Sequence, residues 1–198
     1  FNPNYRTTEM RLRLSDGHPD DTILLYVGRL STEKQLDQLK PVLEQVPGTR
    51  LALVGNGPAR ADLEGHFAGL PVQFMGYMQG EELSRAYASA DLFVFPSALE
   101  TFGLVVVEAM AAGLPVVASR VGGVADVVTE GVNGYTFRAG DVAALVDGVR
   151  RITASRDQIH QMGRAARAFA ETQTWPVMMD EVVDLYARLI QQRRSRAA

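Results

Sequence analysis

The sequence predicts a doubly wound α/β fold, a Rossmann-like parallel six-stranded sheet with helices on both faces. Three observations predict it. Near-continuous apolar runs rich in β-branched residues recur along the chain, as suits strands buried on both sides of a parallel sheet. Stretches with a 3.6-residue apolar period separate those runs, so strand and helix alternate. Finally, 198 residues with 46% hydrophobic content can bury one substantial core, and no shift in composition divides it.

The elements follow in order. The chain opens with "FNPNYRTTEMRLRL" rather than Met, and Thr8 to Leu14 reads as an amphipathic helix entered from a preceding linker. The chain therefore reads as a fragment of something longer. The first strand is "TILLYV", Thr22 to Val27, with a helix expected from Glu33 to Gln45. A second strand, Arg50 to Val54, leads to a helix from Pro58 to Phe67, with Pro58 at the first helical position where its missing N–H costs nothing. Strand Val72 to Met75 precedes a helix from Glu81 to Ser89, and strand Leu92 to Phe95 precedes one from Gly103 to Ala112. Pro115 to Ser119 is the fifth strand and Gly134 to Phe137 a short sixth. From Asp141 to Thr153, Val142, Leu145, Val146, Val149 and Ile152 keep the helical period. Helices from Asp157 to Glu171 and from Trp175 to Arg193 finish the chain. In the last, Val182, Tyr186, Leu189 and Ile190 make an apolar stripe that must cover something. Residues 1–174 are thus expected to form the sheet domain, and residues 175–198 a terminal helix.

Composition removes whole classes of function. A net charge of −3, a pI near 5.6 and scattered basic residues give no footprint for nucleic acid. With no cysteine there is no disulfide, thiol nucleophile or thiolate metal site. His18, His66 and His160 lie too far apart for a local metal motif. No apolar run reaches the roughly 18 residues that span a bilayer, and no signal-peptide pattern is present. The chain reads as cytoplasmic. Its tail "QQRRSRAA" reads either as a solvated basic end or as a peripheral contact with an anionic membrane.

In open sheets of this type ligands bind beyond the carboxyl ends of the strands, so the residues after each strand carry the function. After the first comes "GRLSTEK": Gly28 permits a tight turn, Arg29 offers a planar fork to phosphate oxygens, and Lys34 adds a mobile charge. Two cations on one loop point to a diphosphate; surface pairing for Arg29 and solvation of Lys34 beside Glu33 is the commoner fate of such residues. After the second strand, "GNGPAR" resembles a dinucleotide fingerprint but lacks its third glycine, where Arg60 stands, and follows the wrong strand. Gly55 and Gly57 there keep the loop close to a ligand or simply make a turn, with Asn56 between them. Met75-Gly76-Tyr77, after the third strand, either walls a base pocket through backbone groups or is a plain strand exit. Asp91 and Asp126 read as turn or cap residues, and Gly122-Gly123 brings a further helix start toward the cleft.

The most informative stretch is "PSALETFGLVVVEAMAAGLPVVAS", Pro96 to Ser119. It sets Glu100 and Glu108 on either side of a strand-to-helix turn. Between them Phe102-Gly103-Leu104 opens an apolar helix whose first N–H groups have no internal acceptor and can face a phosphate. Eight residues of helix rise about 12 Å, the span from a donor sugar through a diphosphate to a ribose. On spacing alone, a buried helix carrying a solvated or paired Glu fits equally well.

Taken together, "GRLSTEK", "LVGNGP", "FMGYMQGEEL", "YASADLFVFPSALETFGLVVVEAMAAGLPVVASRVGGVADVV", "GVNGYTF" and "TW…DLYARLI" resemble, in order from about Tyr5 to Ile190, the nucleotide-sugar-binding half of retaining glycosyltransferases of family four, whose architecture is the two-domain GT-B type. "EKQL", "GPARADLEGHF" and "GEELSRAYASAD" further resemble the sulfoquinovosyltransferases that act on diacylglycerol. The resemblance implies roles. Arg29 and Lys34 neutralise the donor diphosphate, Glu108 accepts from the ribose diol, Glu100 faces hydroxyls of the transferred sugar, and the amides around Phe102 to Val105 cap a phosphate. The implied catalytic set is Arg29, Lys34 and Glu100. The donor-binding set adds Gly28, Asn56, Met75, Thr101, Phe102, Gly103, Leu104, Val105 and Glu108, with no metal ligand and no cofactor beyond the nucleoside diphosphate sugar, UDP-linked ahead of GDP or ADP. Gln35 follows Lys34 where many relatives carry Gly. The resemblance also implies an N-terminal acceptor domain preceding Phe1, toward which the terminal helix crosses back, and transfer with retention. Two other readings stay open. A non-catalytic nucleotide-sugar module would use the same side chains without turnover, and a nicotinamide-dependent oxidoreductase would bind NADH despite the broken glycine motif.

Overall fold

The computed structural model describes residues 1–173 and 175–196. Six strands, Thr22–Val27 (β1), Thr49–Val54 (β2), Val72–Gly76 (β3), Leu92–Phe95 (β4), Val116–Ser119 (β5) and Gly134–Phe137 (β6), form one sheet in the order β3-β2-β1-β4-β5-β6. Every pairing is parallel. β1 is central, and Ile23 to Val27 are buried without a break. That explains why the strand reads as a solid apolar run rather than an alternation.

The helices are Thr8–Leu14 (α1), Lys40–Gln45 (α2), Arg60–His66 (α3), Gly80–Ser89 (α4), Leu104–Ala111 (α5), Val124–Val127 (α6), Val142–Ile152 (α7), Arg156–Thr172 (α8) and Trp175–Arg196 (α9). From the centre the chain winds outward through β2 and β3, then crosses back and winds the other way through β4, β5 and β6. Right-handed crossovers therefore place the two sets of helices on opposite faces. α2 packs on β2 and α7, α7 on β5 and β6; α5 packs on β4, β5 and α8, and α1 on α4. Thr7, Asp141 and Ser155 cap α1, α7 and α8 by accepting from Met10 N, Ala144 N and Gln158 N at 3.1, 3.0 and 3.1 Å. The winding reverses between β1 and β4, so their carboxyl ends frame the crevice where ligands bind such sheets.

Three expectations are corrected. The helix expected from Glu33 to Gln45 is broken into a 3-10 turn at Thr32–Lys34, a left-handed Gln35 at φ 49°, a second 3-10 turn at Leu36–Leu39, and α2. Pro41 is the physical reason α2 starts where it does, because it has no N–H to continue a helix behind it. Pro58 does not open α3, which begins at Arg60. Asp91 is neither turn nor cap but a buried hub. It accepts from Ile23 N at 2.8 Å and takes a two-pronged grip from Arg11 at 3.0 and 2.9 Å, while Arg156 and Arg6 stand at 3.3 and 3.7 Å. α1, β1, β4 and α8 are thereby tied together at the amino ends of the strands. A 3-10 turn at Pro3–Tyr5 is an addition that the sequence pattern does not show, and the four-residue α6 is the helix start expected after Gly122-Gly123.

Candidate functional site

The site begins with loops that touch. After β1, Gly28 N donates to Val54 O at 3.0 Å and Leu30 N to Asn56 O at 3.0 Å, which docks the first loop on the second. This contact, rather than a ligand, explains the broken glycine motif. A Cβ on Gly55 would stand 1.9 Å from Gly28 O, and one on Gly57 would stand 2.2 Å from Leu30 O. Both positions must be glycine so that backbone can meet backbone.

The cations of the first loop meet the acid of the fourth. Ala98 N donates to Glu33 O at 2.8 Å, bringing the β4 exit alongside the β1 exit. Lys34 Nζ then reaches Glu100 Oε2 at 3.2 Å, with both side chains 18% exposed, and lies 5.3 Å from the centre of the Phe95 ring. Glu100 Oε1 accepts from Thr101 N at 3.0 Å and Gly103 N at 3.4 Å. Partial burial works to raise the Glu100 pKa, but these amides and Lys34 outweigh it and hold the carboxyl below the usual range. Glu100 is thus a clasp for its own loop as well as a partner for Lys34. Arg29 is exposed and forms no ion pair among the described residues; its carbonyl is pinned by the Tyr26 hydroxyl at 3.0 Å.

The turn into α5 is built for close approach. Gly103 takes a left-handed φ of 71° as the N-cap residue. The loop after β5 supports it from behind: Gly123 N donates to Thr101 O at 2.9 Å, and a Cβ on Gly122 would stand 2.1 Å from Glu100 O. Gly122-Gly123 therefore supports the Glu100 loop and also leads into the short α6, whose N-cap residue is Gly123. Asp126 falls inside α6, exposed. Leu104 and Val105 open α5, and their N–H groups have no acceptor among the described residues. Phe102 and Leu104 are exposed at the mouth.

Beside this turn lies a cavity of about 420 Å³, walled by Gly28, Arg29, Asn56, Tyr77, Val105 and Glu108. Glu108 Oε2 accepts from the buried Tyr87 hydroxyl at 2.9 Å, and Oε1 accepts no hydrogen bond among the described residues. Burial pushes the Glu108 pKa up, while the Tyr87 bond and the N-terminal ammonium oppose the rise. Burial, and then the Glu108 charge, pushes the Tyr87 phenol well up, so it donates at all ordinary pH.

The structure brings together Lys34 and Glu100 as an ion pair, and Gly28, Arg29, Asn56, Val105 and Glu108 around one cavity; Thr101, Phe102, Gly103 and Leu104 form the turn between them. Met75 is set apart. It stays on β3, packed against the core, and the wall begins two residues later at Tyr77 and continues through Met78, Gln79 and Gly80. Tyr87 is the residue that sequence reasoning missed. The usable signal was a tyrosine in the buried face of α4, since a buried hydroxyl needs a partner. Among the described residues, no three His, Asp or Glu side chains gather in a group that would hold a metal ion.

Comparison with known proteins identifies the family and the fold. Residues 12–169 match the family Glycosyl transferases group 1. Sulfoquinovosyl transferase SQD2 of Arabidopsis thaliana is 47% identical over 178 residues, which are 88% of this chain and 35% of that protein. A GDP-mannose-dependent alpha-mannosyltransferase of Mycobacterium tuberculosis is 37% identical over 201 residues, 100% of this chain and 50% of that protein. The chain thus spans between about a third and half of these curated relatives. Among solved structures, Anabaena HepE in complex with UDP and glucose superposes with a TM-score of 0.80 at 25% identity, over 95% of this chain and 55% of that one. Sucrose-phosphate synthase of Thermosynechococcus elongatus gives 0.78 at 29% identity, over 97% and 51%.

Proposed function

Because this chain belongs to the group 1 glycosyl transferases, we propose that it is the donor-binding half of a retaining, GT-B-type enzyme that moves a sugar from a nucleoside diphosphate sugar to an acceptor. The observation that carries the reading is the meeting of Arg29, Glu108 and the open turn of α5 at one cavity over the β1–β4 switch point. Glu108 Oε1 takes the ribose diol. Arg29, the N–H groups of Leu104 and Val105, and Lys34 take the diphosphate, and the Glu100 loop faces the sugar.

Glycosyl transfer builds negative charge on the departing phosphate. Fixed cations and helix-start amides aimed there stabilise the transition state more than the ground state, and they supply positive charge without a metal ion. Lys34 is held ready by Glu100, so it meets the leaving group with little reorganisation. UDP is the favoured carrier, supported by HepE, whose structures hold UDP with glucose or UDP-glucose. GDP-mannose, the donor of the mycobacterial relative, is the leading alternative. The acceptor site belongs to a second domain, because the chain spans only part of its relatives, and α9 is the segment that returns to that domain.

Calorimetric titration of the chain with UDP-, GDP- and ADP-glucose and with GDP-mannose tests the reading. UDP-glucose is expected to bind best and NADH not at all. Binding of NADH ahead of every nucleotide sugar overturns the assignment.

A further inference from the structure

A cavity of about 520 Å³ lies at the opposite end of the sheet, where the chain enters β4 and β5. Its floor is apolar, made by Ala88, Ala112, Leu114 and Ile159, and its rim is basic, with Arg6, His160 and Arg164. Asp91 is the acid at its base, and three guanidinium groups crowd it: Arg11 at 2.9 Å, Arg156 at 3.3 Å and Arg6 at 3.7 Å. One carboxylate cannot balance three guanidiniums. Arg167 on the same rim is already paired with Glu171 at 2.7 Å, so that acid offers no relief. His160 and Arg164 are exposed and make no ion pair among the described residues. Burial, then the neighbouring Arg11 and Arg156 charges, pushes the Arg6 pKa down against the pull of Asp91. In a chain of net charge −3 this excess is local and opposite in sign to the whole.

We propose that this cavity binds a phosphate-bearing ligand with a small apolar body. Arg6, His160 and Arg164 hold its phosphate, and the Ala112–Leu114 and Ile159 floor takes its apolar part. The phosphate supplies the missing negative charge, and guanidinium forks match its oxygens. The site is separate from the donor cleft. It needs no residue of that cleft, and it stands or falls independently of the glycosyl-transfer reading.

Phenyl phosphate is the probe, titrated calorimetrically against the 198-residue chain, with vesicles of phosphatidylglycerol in phosphatidylcholine as a second arm. Phenyl phosphate is expected to bind more tightly than inorganic phosphate, because the floor contributes. Arg164→Gln and His160→Gln, both at exposed positions that leave the fold intact, each weaken binding about three- to tenfold, the size of one charge-assisted hydrogen bond at a solvent-facing rim. Arg29→Gln, at the donor cleft, leaves it unchanged. Vesicle capture that Arg164→Gln abolishes places the phosphate on a lipid headgroup. Phenyl phosphate binding without vesicle capture places it on a free metabolite. Binding of neither, or binding that Arg29→Gln removes and Arg164→Gln and Arg6→Gln spare, overturns the site.

Discussion

Arg29 and Lys34 leave the same strand but work differently, and the difference yields separate tests. Lys34 is already committed to Glu100, whereas Arg29 is exposed beside the cavity and has no acid of its own among the described residues. Arg29→Ala is expected to weaken UDP binding by about 1.5–3 kcal/mol and to leave uridine almost untouched, since only a charge-assisted phosphate contact is lost. Equal losses for UDP and uridine remove Arg29 from the phosphate. Glu108 gives a pH test whose sign follows from its raised pKa. As pH falls through that pKa the carboxylate gains a proton and loses an acceptor, so uridine affinity drops on the acid side, and it does so at a higher pH than an ordinary Glu would dictate. Glu108→Gln should bind uridine weakly with no such inflection, and pyrophosphate as well as the parent does. A calorimetric series in pH separates these, and an inflection that survives in the Gln variant refutes the ribose role. Arg29 and Lys34 were legible as candidates because charge at a strand exit is visible in sequence, and Glu108 because it stands inside the helix that follows β4. Tyr87 was not, because its place depends on which face of α4 is buried. Gln35 shows the reverse case: its left-handed φ of 49° is one that glycine adopts without strain. Its amide oxygen is also buried without a hydrogen-bond partner among the described residues. Gln35→Gly should therefore stabilise the chain by about 1 kcal/mol in urea unfolding, strain relief exceeding the added chain entropy.

At the scale of elements, the strands were readable to within a residue or two because their apolar runs are set by burial on both faces, a property local to each run. The loops were not, because what fixes them is contact between loops distant in sequence. Gly55, Gly57 and Gly122 look alike in the chain, as turn glycines. Only the fold shows that each receives a carbonyl oxygen from another strand exit. This makes Gly122→Ala a sharp probe of how the site is held. Its Cβ would press to 2.1 Å from Glu100 O at a backbone φ of 50°, so the Glu100 loop must move. The expected cost is about 1–3 kcal/mol of stability, together with loss of UDP-glucose affinity at nearly unchanged uridine affinity, since Glu108 and the base wall lie beyond the displaced loop. Parallel losses for both ligands would mean that the damage spreads through α5 rather than staying in the loop.

At the scale of the whole molecule, the sheet domain closes on itself while α9 does not. From Val177 at 46% exposed to Val183 and Tyr186 at 64%, its described apolar side chains stand in water, with Met179, Leu185, Leu189 and Ile190 between these limits. The stripe expected through Tyr186, Leu189 and Ile190 is real but uncovered; the Val182 side chain lies outside the described residues. Single exposed leucines are ordinary, but a helix carrying this many is not. No helix among the described residues is long and apolar enough to cross a membrane, so a bilayer-spanning role does not account for the surface. If α9 returns to a second domain in the intact protein, the sheet domain does not depend on it, and a chain ending at Gln173 should unfold at nearly the parent's urea midpoint while losing any concentration-dependent association seen by ultracentrifugation. A large drop in the midpoint would show that α9 belongs to the sheet's own core and would move the domain boundary. The same logic governs turnover. On the proposed two-domain reading the 198-residue chain is expected to bind the nucleotide and transfer no sugar, because that reading puts the acceptor surface in the second domain, and orientation of the two reactants carries about 7–11 kcal/mol of the barrier. Steady release of UDP with sugar appearing on an added acceptor, from this chain alone, would place the acceptor site within the sheet domain and end the two-domain reading.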